Sequence, residues 1–274
     1  QRRQQQRWPA WTHPVAGYDP VHGLQHLGQA ARELFPDAFD LQETMARVDH
    51  GLVHAFAGLV SLADWIGSNT EAGFFPFDDV GPQSIPRWPA APKRAGEVLR
   101  PMRIDVEHLR ADLIRRAPTF DQVFGVSPHD TQNIPPPPDG SHVVVLEAET
   151  GSGKTEAALW HFKSLFEAGQ VDALCFLLPT RVAATGIYRR LHGCMEALFP
   201  DAGLRPSTLL AVPGYLRAND TDGERLAGFD VLWPDDGDKS LYWAAENSKR
   251  YFAGSAVAGT NDQFPLSALL DTHH

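Results

Sequence analysis

The sequence predicts an α/β protein, a parallel sheet covered by helices and preceded by an all-helical segment. Three observations predict it. Apolar residues in the first third recur at steps of three or four, β-branched runs alternate with helical stretches after residue 140, and a Gly-rich turn joins the first such run to its helix. With 274 residues and 43% hydrophobic content, the chain has room for two compact domains with real cores. No apolar run reaches membrane-spanning length, and two cysteines, Cys175 and Cys194, are too few for a disulfide framework. The opening Gln1–Arg7 is basic but no apolar stretch follows it, so it does not read as a secretory signal. These features predict a cytoplasmic protein with no membrane partner.

The elements follow in order. Gly23 to Phe35 carries a weak apolar stripe closed by Pro36. Asp40 reads as an N-cap with Glu43 completing a capping box, and a helix is expected from there to about Asn69. Its stripe of Leu41, Met45, Val48, Leu52, Phe56, Leu59, Ala63 and Ile66 is expected to be buried. Thr70 to Pro92 reads as a surface loop. A helix after Pro101 puts Ile104, Val106, Leu109, Leu113 and Ile114 inward, and Pro118 ends it. The prolines of 135–138 with Asp139-Gly140 form a stiff connector. Strands are predicted at His142–Leu146, Ala173–Leu178, Ser207–Val212 and Ser255–Ala258, with helices at Lys154–Ala168 and after Thr180. Asn219 to Lys239, rich in Asp and Gly, reads as a flexible insertion.

A net charge of −10 argues against indiscriminate nucleic-acid binding. A local basic cluster remains: Arg87, Lys93, Arg94, Arg100, Arg103, Arg110, Arg115 and Arg116. It is either a phosphate-facing track or a solvated helix face.

Ala148-Glu149-Thr150-Gly151-Ser152-Gly153-Lys154-Thr155 fits the Walker A phosphate-binding pattern, with Ala in place of its first Gly. Gly151 and Gly153 permit backbone angles that bring successive N–H groups onto phosphate oxygens, beside the positive end of the following helix. Thr150, Gly151, Ser152, Gly153, Lys154 and Thr155 are therefore the candidate ATP-binding residues. Lys154 is expected to reach the outer phosphates, and the Thr155 hydroxyl to hold Mg²⁺.

This Ala-x-Thr-Gly-x-Gly-Lys-Thr form resembles that of superfamily-2 helicases, which implies a RecA-like lobe. Phe120, Phe124 and Gln132 resemble the upstream Q motif, implying that Gln132 reads the adenine edge and Phe124 packs against the base. Pro179-Thr180-Arg181 resembles motif Ia and Gly259-Thr260-Asn261-Asp262-Gln263 resembles motif Ic, implying that Thr180, Arg181 and Thr260 grip the nucleic-acid backbone. Read alone, Gln132 is a loop residue, Thr180 a helix cap and Thr260 a turn residue.

Leu62-Ala63-Asp64-Trp65-Ile66-Gly67-Ser68 resembles the last motif of an HD-type phosphohydrolase domain. Followed by such a helicase lobe, it is similar to the CRISPR-associated type I helicase–nucleases, in which an HD nuclease is fused to a DEAD/DEAH-like helicase. The resemblance runs from about residue 15 onward, and Leu146 to Leu159 and Trp243 to Gln263 share it. It implies Asp64 as a ligand of a divalent transition metal, single-stranded DNA as substrate, and a Cascade-type RNA-guided surveillance complex as partner. Residues 1–80 are then the end of the HD domain, 81–118 a linker and helix, and 119–274 the first helicase lobe.

Departures accompany the resemblance. The paired-histidine motif falls at Val15-Ala16-Gly17-Tyr18-Asp19, where both histidines are replaced. His13, His22 and His26 lie nearby at spacings that make no site, and His129-Asp130 comes after Asp64 instead of before it. No Asp-Glu dipeptide is present, so the Walker B acid pair is missing and little ATP turnover is expected of this chain. A fragment truncated at both ends is the expectation. Rival readings are a superfamily-2 helicase unrelated to CRISPR, a catalytically inactive nucleotide-binding recruitment module and, more distantly, a small-molecule kinase.

Overall fold

The computed structural model describes residues 20–40, 50–69, 74–75, 91–132, 134, 143–226, 231–234, 239–246 and 248–262. The chain is mixed α/β and divides into two compact units, Gln1–Gly96 and Glu97–His274. The division falls inside the segment expected to be a linker. No helix among the described residues is long and apolar enough to cross a membrane.

The first unit is helical where it is described. Helix α1 spans Pro20–Leu34, with proline at a position where a missing N–H costs nothing. Short α2 covers Asp37–Asp40, and α3 covers His50–Gly67. The expected capping box at Asp40 and Glu43, and the stripe residues Leu41, Met45 and Val48, involve positions outside the described residues. The remaining stripe corrects the expectation of burial. Leu52, Phe56 and Leu59 are 61%, 64% and 62% exposed, and only Ile66 is buried. Periodicity marks a face able to be buried, but burial needs a surface to receive it.

Helix α4, Ala91–Leu99, was not foreseen and crosses the boundary between the units. In the second unit α5 runs Val106–Arg116 and stops at Ala117, which takes a left-handed conformation ahead of Pro118. Leu109 and Leu113 are buried as predicted, but Ile114 points outward at 52% exposure. Short α6, Phe120–Phe124, and a 3₁₀ turn at Asp130–Gln132 lead toward the Gly-rich turn. After it come α7 (Lys154–Glu167), β1 (Leu174–Leu178), α8 (Arg181–Leu198) and β2 (Thr208–Ala211). Four two-residue strands follow: β3 (Arg217–Ala218), β4 (Thr221–Asp222), β5 (Glu224–Arg225) and β6 (Val231–Leu232). Then come α9 (Lys239–Tyr242), two 3₁₀ segments and finally β7 (Ala256–Thr260).

The main sheet has the order β1-β7-β2-β3-β4. The first three strands pair in parallel, as predicted. The last two are antiparallel, because only Asn219-Asp220 separates β3 from β4 and so tight a turn reverses the chain. The polar insertion is likewise built. It contains the β5–β6 hairpin, and buried Trp233 stacks on Tyr242 at 4.5 Å and donates to Glu246.

The first predicted strand is absent where described. Residues 143–149 have no strand structure, and Val143, Val144 and Val145 are 75%, 44% and 81% exposed. A β-branched run gives strand propensity, yet a strand exists only where a neighbour completes its hydrogen bonds. Among the described residues none pairs with it.

Helix α8 packs across β1, β7 and β2. Alternation along the strands turns Leu210, Ala256 and Ala258 toward its Tyr188, Leu191 and Met195. Leu209 faces the other way, toward Gly254, where an added Cβ would lie 2.3 Å from its Cδ1. Strand β2, buried at every residue, is thus covered on both faces, whereas Cys175 of β1 is exposed.

Helix α5 joins this core through two arginines. Buried Arg110 donates to the Phe166 carbonyl at the end of α7 at 2.6 Å and to Asp172 at 2.7 Å, over the Phe166 ring. Arg116 does the same at the end of α8, bonding the Leu198 carbonyl and lying over Phe199. Burial pushes the Asp112 carboxyl up, but hydrogen bonds from Arg116 and Arg115 outweigh it and hold the group below the ordinary 3.8. Within the basic cluster, Arg110, Arg115 and Arg116 are therefore committed to structural ion pairs.

Candidate functional site

The Gly-rich turn opens helix α7. Gly151 and Gly153 take φ of +86° and +80°, which side-chain-bearing residues adopt only with strain. The first bond within α7 runs from the Ala157 N–H to the Gly153 carbonyl at 2.9 Å. The amides of Lys154, Thr155 and Glu156 therefore have no intrahelical acceptor, at the end of the helix that favours anions. The Ser152 hydroxyl is buried and has no hydrogen-bond partner among the described residues. Lys154 folds back and its Nζ donates to the carbonyls of Ala148 and Glu149, both at 2.6 Å. The Thr155 hydroxyl accepts from Arg190 of α8 at 3.0 Å, and Arg190 also pairs with Glu156.

Gln132 reaches this turn from 21 residues upstream. It is 3% exposed, accepts from the His129 N–H at 2.8 Å and donates to the Gly153 carbonyl at 3.1 Å. An added Cβ on Gly153 would meet the Gln132 amide nitrogen at 2.1 Å. Phe120 and Phe124 lie 4.6 Å apart and pack edge-on against Trp160 of α7, at 5.4 and 6.3 Å. The three separate sequence signals at Phe124, Gln132 and Gly151–Thr155 thus converge on the start and first turns of one helix.

The segments that hold Thr180 and Thr260 meet at one end of the sheet. Leu178, the last residue of β1, is in register with Thr260, the last of β7, and the Asn261 N–H donates to the Leu178 carbonyl at 3.0 Å. Thr180 caps α8 by accepting from the Ala183 N–H at 3.2 Å. Thr180 and Arg181 are exposed, whereas Thr260 is buried at 4%. This is the carboxyl end of the parallel strands, where open α/β sheets place their ligands.

Asp64 sits exposed on α3, and the Ser68 hydroxyl one turn later donates to its backbone carbonyl at 2.5 Å. Tyr18 and Asp19, at the expected paired-histidine position, are outside the described residues, as is Gln263. His22 and His26 face each other on α1 with ring centroids 4.0 Å apart. The group of candidate metal-binding side chains among the described residues is His192, Glu196 and Asp220, in the other unit. There His192 Nε2 lies 3.0 Å from Asp220, and Glu196 pairs with Arg205 at 2.9 Å, so each already has a partner. Asp64 is not joined by two further candidate ligands among the described residues.

Burial, with the charge of Glu156, pushes the Cys194 thiol up to about 12. Sequence reasoning missed Arg190 and Trp160. Trp160 has a signal in the sequence, an aromatic in the helix after the Gly-rich turn. Arg190 has none, because its partnership with Thr155 spans 35 residues and exists only through the packing of α7 and α8.

Residues 1–73 match the family model described as "Cas3, HD domain". The chain is 27% identical over 230 residues to a CRISPR-associated endonuclease/helicase Cas3 of Escherichia coli (strain K12), covering 79% of this chain and 24% of that protein. It is 27% identical over 224 residues to a CRISPR-associated nuclease/helicase Cas3 of Streptococcus thermophilus, covering 79% and 23%. A Cas3 of Thermus thermophilus is similar at 27% over 233 residues. The chain spans about a quarter of the length of the curated relatives it matches. No solved structure matches it.

Proposed function

We propose that the second unit of this chain is the ATP-binding, RecA-like lobe of a CRISPR-associated helicase–nuclease, and that the first unit derives from its HD nuclease domain. The observation that carries the reading is the convergence on Gly153. A Gly-rich turn in positive-φ conformation opens a helix, and a glutamine from the upstream motif bonds that turn directly. Similarity to nuclease/helicases over 79% of the chain supports the same conclusion.

In this reading the phosphates of ATP lie on the amides of Gly151 to Thr155. Lys154 leaves its two carbonyl partners to meet the outer phosphates. The Thr155 hydroxyl is the group placed to hold Mg²⁺, which when bound neutralises charge on the transferring phosphoryl group. The fit rests on the orphaned Ser152 hydroxyl and the three amides without intrahelical acceptors, a donor-rich cradle that asks for an anion. Phe124 and Trp160 offer an apolar wall to the base, and Gln132 ties the base side of the site to the turn. Thr180 and Arg181 contact the backbone of single-stranded DNA at the carboxyl end of the sheet, without reading sequence. Buried Thr260 fixes the neighbouring strand end. Asp64 is a metal ligand of the nuclease, and a Cascade-type complex delivers the DNA, in the cytoplasm.

The test is nucleotide binding and ATP turnover, with and without single-stranded DNA, for this chain and Lys154→Ala. Binding that is lost in the variant, with negligible turnover in either, is the expected result. Absence of binding in the unsubstituted chain would sink the ATP-site reading. Binding unaffected by the substitution would place the nucleotide elsewhere.

A further inference from the structure

The hydroxyl that the proposed function assigns to Mg²⁺ is already engaged. Arg190 donates to Thr155 Oγ at 3.0 Å and pairs through its other terminal nitrogen with the Glu156 carboxylate. Two partners on consecutive residues fix the guanidinium at the first turn of α7. The arm comes from a rigid support, because its neighbour Leu191 is 0% exposed and α8 packs across the sheet. The Arg190 side chain is 47% exposed, so water can receive the guanidinium when it leaves these partners.

We propose that Arg190 is a latch on the nucleotide site. In the nucleotide-free protein its guanidinium takes the place beside Thr155 that a divalent cation takes when nucleotide binds, and it withdraws as the cation arrives. The inference rests on the ATP-site reading. The Thr155 oxygen has a second lone pair, but a positive guanidinium within hydrogen-bond distance repels a dication on the same atom. Glu156 is the other half of the device. Its carboxylate keeps the arginine at the site when the cation is absent, and remains available to it after release. Lys154, held on the carbonyls of Ala148 and Glu149, completes a resting arrangement in which both cations of the turn are satisfied by the chain itself.

The experiment measures binding of a fluorescent ATP analogue to the full chain, once with Mg²⁺ and once with EDTA. The proteins are the unsubstituted chain, Arg190→Ala, Arg190→Gln and Lys154→Ala. The expected result is that Arg190→Ala binds the Mg²⁺ form about three- to tenfold tighter, a scale set by one exposed charge-assisted bond. Affinity in EDTA stays the same, so the ratio of the two rises. Arg190→Gln removes the charge while keeping amide donors and packing, and raises the ratio in the same direction even if the alanine variant fails to fold. A ratio unchanged or lowered in the folded variants overturns the latch. Loss of binding in Lys154→Ala alongside an unchanged ratio sinks the latch alone, whereas no binding by the unsubstituted chain removes the ATP site and the latch together.

Discussion

Gly153 is constrained twice, and the two constraints separate by mutation. Its φ of +80° costs an L side chain about 1–2 kcal/mol, and an added Cβ would also strike the Gln132 amide at 2.1 Å. Gly153→Ala is therefore expected to lower stability and to weaken nucleotide binding at least about tenfold, because the turn must shift to admit the methyl. Gln132→Ala removes the clash but leaves the φ penalty, so the double variant should recover part of the lost stability and little of the affinity. Thermal melts and nucleotide titrations of the three proteins check this. Additive effects on stability would mean that Gln132 does not pack over Gly153 in solution. The need for glycine here was legible in the motif, but its second cause was not. Gln132 and Gly153 are distant in sequence, and their contact depends on the 3₁₀ turn at Asp130–Gln132 folding against α7.

At the scale of elements, α5 acts as a clamp on the C-termini of two other helices. The last carbonyls of a helix have no partners within it, and a cation placed there both donates hydrogen bonds and complements the helix dipole. Arg110 supplies this to α7 and Arg116 to α8, each also covering the aromatic residue at that end. Arg110→Ala leaves the Phe166 carbonyl without this donor and opens packing against its ring, and is expected to cost about 2–4 kcal/mol. Arg110→Lys should restore only part, because one ammonium cannot reproduce a fork that serves Phe166, Asp172 and Glu107 together. Urea titrations of the two variants read the difference directly. Equal stability of both with the unsubstituted chain would mean that α5 is held by its apolar face alone. The sequence offered these arginines as either a phosphate track or a solvated face; on α5, Arg110 and Arg116 are neither, whereas Arg115 is 75% exposed. A composition count does not show which charges have a helix end to meet.

For the molecule as a whole, the elements that follow from local periodicity and caps were legible. The helix at Lys154–Glu167 and the three parallel strands stand within a residue or two of their predicted ends, and the helix expected after Thr180 begins at Arg181. Features requiring a partner were not legible. The run Val143-Val144-Val145 has the composition of a central strand but no strand beside it among the described residues, and Leu52, Phe56 and Leu59 of the α3 stripe are exposed. Placement in the sheet should therefore govern protection more strongly than apolar content does. Strand β7 lies between β1 and β2, is buried at every residue and is bonded on both edges, so opening it disrupts the whole parallel core. Its Gly259 packs so closely that an added Cβ would lie 2.9 Å from the Ala211 carbonyl oxygen, leaving no slack between the strands. Hydrogen exchange should then be slowest at Ala256 to Gly259, approaching the limit set by global unfolding, and fast at Val144 to Leu146. Protection of Val144 to Leu146 equal to that of β7 would show that this run is paired in solution. The Gly-rich turn would then rest on a sheet strand as well as on Gln132, and adding nucleotide would change its protection little. With the run unpaired, bound nucleotide should raise protection there first, because the turn that follows it is the part that closes on phosphate.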